Sequence, residues 1–221
     1  MAEYTAQELS EERLRQAAEQ FVRHGVDIRS RVHDLTLTAL QSRRFDRDAM
    51  RDVFRAITSG VATGAEGAPD MRKALADGLS GMDQALARSA EAGASALKQL
   101  ATSGRNFSET DLKGALAELK KLEDDFVTTV SNVADSATGP VQPELRGALG
   151  NLTHAGTETG KQLALSFNEL AHSFALFSID AGLAGLEAAG EFGARFANLA
   201  SGILAGIADA LQKKPEPPQA S

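Results

Sequence analysis

Residues 158–212 repeat every eleven residues, and that period constrains the chain more than any other feature. Cut at Glu158, the stretch reads ETGKQLALSFN, ELAHSFALFSI, DAGLAGLEAAG, EFGARFANLAS and GILAGIADALQ. At about 100° per residue, eleven residues return almost to the same helix face. Glu169, Asp180, Glu187, Glu191, Asn198 and Asp209 therefore form one narrow polar stripe. The rest of the cylinder is mostly Ala, Gly, Leu, Ile and Phe, and a helix this apolar must be covered by other helices or by a lipid-like surface. Gly202 and Gly206 have a GxxxG spacing, which permits close helix approach. Glycines in this stretch equally suit bending or breaking, and both readings stand.

Alanine-rich composition extends the helical preference to the whole chain, because alanine loses no side-chain entropy in a helix. The chain has 221 residues, only six prolines and one tyrosine, and no tryptophan. It has no cysteine, which excludes disulfides, thiol nucleophiles and Cys-based metal sites. A net charge of −7 opposes general nucleic-acid binding and strong attraction to anionic membranes. The acidic start MAEYTAQELSEERL has no apolar core, so no secretory signal is expected. Phe196 to Ala208 is uncharged but shorter than the roughly 20 apolar residues a transmembrane span needs.

Before the array, helices are expected near 10–42, 46–60, 69–103 and 109–137, with the array continuing a helix over 144–212. Ser10 supplies a cap for the first, and Leu14, Ala18, Phe21, Gly25, Ile28, Val32, Leu35 and Ala39 alternate steps of four and three. The second carries Met50, Val53, Phe54, Ile57 and Val61, then reads as fading into a loop at GVATGAEGAP. The third follows Pro69 with Leu75, Leu79, Met82 and Leu86, then the small side chains of ARSAEAGASA. The fourth follows SETD and carries Leu112, Leu116, Leu119, Phe126, Val130 and Val133, interrupted by Glu123. SATGPVQP reads as a hinge, dividing an N-terminal helical section, 1–138, from the amphipathic array of 144–212. Residues 213–221 read as a disordered tail. The expected fold is all-α: an elongated antiparallel helical bundle with a long Ala/Gly-rich C-terminal helix, kinked at glycines.

Candidate chemistry is sparse. Glu169 and His172 have an ExxH spacing, but a helical di-iron centre needs two such pairs and further glutamates. His24, His33, His154 and His172 have no visible nucleophile partner. Arg43, Arg47, Arg51 and Arg55 make a basic stripe that could grip an anion. Interleaved Asp48 and Asp52 favour a salt-bridged face instead. The expectation is a protein that is not an enzyme and uses no cofactor or metal.

The array, the alanine-rich cysteine-free composition and the KKPEPPQA tail resemble bacterial phasins. That resemblance implies a cytoplasmic coat on polyhydroxyalkanoate granules. Eleven-residue repeats are also similar to the surface-binding helices of apolipoproteins and lipid-droplet coat proteins. The leading expectation is association with a hydrophobic granule, lipid or membrane surface, or homo-oligomerisation, through residues 158–212. The candidate contact residues are Leu163, Phe167, Leu170, Phe174, Phe177, Phe192, Phe196, Leu199, Ile203 and Ile207. The alternative is a helical adaptor or scaffold that binds another protein, with the array as buried core.

Overall fold

A hydroxyl followed by two glutamates starts the first helix as expected, with Ser10 Oγ accepting from the Arg13 amide at 3.4 Å. The computed structural model describes residues 10–42, 47–102 and 109–177, and among them every regular element is an α-helix. These are α1 (Glu11–His24), α2 (Ile28–Ser42), α3 (Arg47–Ala65), α4 (Met71–Thr102), α5 (Glu109–Ser136), α6 (Val141–Ala155) and α7 (Glu158–Phe177).

The helix expected over 10–42 is two helices. Gly25 takes a left-handed φ of 68°, and its amide closes α1 on the Val22 carbonyl at 3.0 Å. Asp27 is left-handed as well, with φ 51°. The seam survives the break because both helices turn it inward. Leu14 and Ala18 on α1, with Ile28, Val32, Leu35 and Ala39 on α2, are all buried.

The helix expected to fade after residue 60 runs on to Ala65. Its glycines belong to a helix crossing. A Cβ on Gly60 would lie 2.1 Å from the Arg15 carbonyl oxygen, and one on Gly64 would lie 2.6 Å from that of Glu19. The missing side chains let α3 approach α1 backbone to backbone, and this contact offsets the glycines' low helix propensity. After Pro69, Asp70 caps α4 by accepting from the Lys73 amide at 2.9 Å.

Helix directions follow from the contacts. Gly60 meets Arg15 and Ala18, while Gly64 meets Glu19 and Val22, so α1 and α3 run parallel. Val61 meets Gly78, and Thr58 meets Met82, so α3 and α4 run antiparallel. Arg29 reaches Asp77 and also packs at Gly81 with His33, which aligns α2 with α4. Arg72 pairs with Glu144, and Asp83 meets the turn that follows α6, so α6 follows the direction of α4. Two rows result, α1–α3–α5 in one direction and α2–α4–α6 in the other, with α3 against α4 between them and α7 packed on α4 and α5. The SATGPVQP stretch is a short turn, bracketed by Arg146 donating to Asp135 at 2.7 Å and 3.0 Å. Val141, Leu145 and Leu149 beyond it join the same core as Phe54, Leu79 and Phe126.

Asp77 joins α2 to α4 electrostatically. It accepts from Lys73 at 2.5 Å and Arg29 at 2.8 Å. Burial pushes its carboxyl pKa upward, but the hydrogen bonds and charges of Lys73 and Arg29 outweigh that and hold it below its ordinary value. A carboxyl whose folded value is depressed stabilises the fold above its unfolded pKa, about 3.9, and loses that contribution as pH falls through the folded value. Asp77→Asn should therefore be less stable than the wild type at pH 7. Urea melts from pH 7 down to pH 2 should show the two converging below pH ~4. A gap that stays constant across that range would remove Asp77 from the α2–α4 join.

Candidate functional site

The start of α7 is the most polar buried region among the described residues. Gly156, with φ 78°, breaks the backbone between α6 and α7. Thr157 then caps α7: its Oγ1 accepts from the Gly160 amide at 2.9 Å and its carbonyl from the Lys161 amide at 3.1 Å. Its hydroxyl also donates to the Glu123 carboxylate of α5. Gly160 leaves room for that carboxylate, since a Cβ there would come 2.7 Å from Glu123 Oε1.

From α4, Asp83 reaches the same turn. Its side chain is fully buried and accepts from the Glu158 amide at 2.7 Å, the Thr159 amide at 3.2 Å and Thr159 Oγ1 at 2.8 Å. Among the described residues no Lys or Arg pairs with it. A desolvated carboxylate needs compensation, and here the free amides at a helix N-terminus, with the positive end of the helix dipole, supply it. Two carboxylates from two helices thus hold the first turn of a third.

Beyond that turn the helix presents mixed faces. Thr159, Leu163 and Ser166 are turned inward and buried, and Leu163 belongs to the common core. Leu165, between them in sequence, is 60% exposed. The array therefore begins with one face on α4 and α5 and an apolar residue on the outside.

Of the ten residues singled out in the array, Leu163 is this core residue. Phe167, Leu170, Phe174 and Phe177 stand on the backbone of α7, as do Glu169 and His172. Phe192, Phe196, Leu199, Ile203 and Ile207 lie outside the described residues. The basic stripe is salt-bridged where it is described. Arg51 pairs with Asp48 at 3.4 Å and Arg55 with Asp52 at 2.7 Å, the two pairs expected from spacing. Arg51 also donates to Asp125 of α5 at 2.7 Å, a contact that spacing alone does not reveal. Among the described residues no cluster of three His, Asp or Glu could hold a metal ion, and no helix is long and apolar enough to cross a membrane.

Sequence reasoning missed Asp83, Glu123, Thr157 and Thr159. The signals were faint: Glu123 interrupts an apolar seam, and Asp83 follows Met82 directly within another. A family model described as a family of unknown function (DUF6781) matches residues 4–213. No curated protein and no solved structure matches the chain.

Proposed function

The chain belongs to the DUF6781 family, and we propose that it works without catalysis, associating with a hydrophobic surface through the array of residues 158–212. Polyester granules, lipid droplets and membrane interfaces share the required chemistry, a broad apolar face with water at its edge. In this reading residues 10–155 form an elongated bundle that acts as a base. The array extends from it as a kinked amphipathic helix and lays its apolar side on the surface. The observation that carries the reading is the pairing of Leu163 and Leu165 at the array's start. The first is buried on the bundle, and the second is 60% exposed on the outside. An array that is apolar on nearly every side cannot hide all of it against the bundle alone.

The test is flotation of the full chain with neutral-lipid emulsions or polyester particles, beside the double variant Phe174→Glu with Phe196→Glu. The full chain should float, and the double variant should remain in the aqueous phase. Equal flotation of the two would refute the array as the anchor. A second reading, a helical adaptor with the array as core, draws on the burial of Leu163. It predicts a monodisperse species without detergent and no flotation of either chain.

A further inference from the structure

Leu163, Phe167, Leu170, Phe174 and Phe177 follow one another along α7 at steps of four and three. Residues so spaced share one face of a helix. The described side chains fix which face that is. Thr159, Leu163 and Ser166 are buried, whereas Lys161, Ala164, Leu165 and Asn168 are exposed. Leu163 joins the common core, and α7 packs on both α4 and α5. The register therefore places all five on the side of Leu163, the side on which α7 meets the bundle. Half of the candidate contact residues thus belong to a seam that the bundle itself can use.

The eleven-residue period repeats that seam further on. Three periods carry Leu163 to Phe196, and a fourth carries it to Ile207. Phe192, Phe196, Leu199 and Ile203 again step by four and three. A second seam needs a cover of its own. Among the described residues, the only large apolar side chains left exposed are Val26, in the turn between α1 and α2, and Leu165. Two isolated side chains make no groove for it. Nor is the second seam cut for a single partner helix, because such a seam is narrow and flanked by charges. From Phe192 to Ala208 the one formal charge is Arg195, so the apolar arc is wide and suits a continuous apolar surface. We propose that the array has two halves with separate tasks. Residues 158–177 are a stem fixed in the bundle, and residues 192–207 make the contact with the surface, with Phe196 and Ile207 in the register position that Leu163 holds in the stem. This rests on the surface-association reading and narrows it to the second half of the array.

The chain has no cysteine, so a single introduced thiol reports its own surroundings. Leu170→Cys, Phe174→Cys and Phe196→Cys in the full chain are treated with a water-soluble thiol reagent, with and without a triacylglycerol emulsion. Ser166→Cys, nearly isosteric and at a buried position of α7, is the folding control. Without emulsion, Leu170→Cys and Phe174→Cys should react as slowly as the control and at least about tenfold more slowly than Phe196→Cys, because a buried thiol reacts only when the structure opens. With emulsion, Phe196→Cys should slow by at least about tenfold while the three stem variants keep their rates. Fast reaction of both Leu170→Cys and Phe174→Cys beside a slow control would overturn the stem. Slow reaction of Phe196→Cys without emulsion would show the second seam already covered, by the bundle or by a second copy, and would also overturn the proposal. So would an emulsion that binds the chain and leaves Phe196→Cys fast. If the unaltered chain does not join the emulsion at all, the surface reading falls, and slow Leu170→Cys and Phe174→Cys would leave the stem standing without it.

Discussion

Gly60→Ala should destabilise the protein by about 3 kcal/mol, although alanine is the better helix former. In an open helix the same change stabilises by about 0.5–1 kcal/mol. Here the added Cβ would sit 2.1 Å from the Arg15 carbonyl oxygen and 2.9 Å from Ala18 Cβ. The first of these atoms is backbone and cannot rotate away, so α1 and α3 must separate. Separation then weakens the burial of Leu14, Ala18 and Val22 on α1. The control is Gly147→Ala on the exposed side of α6, where a Cβ would meet nothing within 4 Å. That variant should hold or gain stability. Thermal melts of the two should move in opposite directions, by roughly 6–12 °C downward for Gly60→Ala. If both glycine variants gain stability, α1 and α3 do not meet at Gly60.

The glycines also show which parts of the fold are legible in sequence. Helix existence follows from local pattern: Leu75, Leu79, Met82 and Leu86 form a seam that no neighbour is needed to recognise, and all four are buried. Glycine is ambiguous without its neighbour. Gly25 sits on a seven-residue seam and reads as part of it, yet its left-handed φ ends the helix. Gly60 and Gly64 read as loop punctuation because propensity counts their cost and cannot see α1 resting on them. The polar turn at the start of α7 is harder still. Asp83 and Thr159 stand far apart in the chain, and each has an ordinary local reading, one as a charge beside a seam and the other as a helix-start residue. Only the fold brings a carboxylate from α4 to the amides of α7. The ion pairs within α3 were legible because spacing along one helix sets them, whereas the Arg51–Asp125 pair across helices was not.

Phe54→Ala should cost about 3–5 kcal/mol, the expected loss for truncating a buried phenylalanine. Phe54 and Phe126 are both fully buried, and their rings meet edge to face with centroids 5.6 Å apart and planes at 74°. That arrangement sets the positive edge of one ring against the negative face of the other and adds about 0.5–1.5 kcal/mol beyond area burial. Phe126→Ala should cost a similar amount. The double variant should lose less than the sum of the two, because the second truncation no longer breaks the ring pair. Urea unfolding should show a lower midpoint with an unchanged slope, since the surface exposed on unfolding hardly alters. Strict additivity would mean that the rings do not interact. The pair matters to the architecture because it joins α3 to α5, beside Arg51 donating to Asp125 at 2.7 Å. Through α5 the ring pair is also linked to Glu123 and to the turn that leads into α6. Loosening the ring pair should therefore reach α7 through the displacement of Glu123. In hydrogen exchange, Phe54→Ala should weaken protection in α5 and α7 as well as α3.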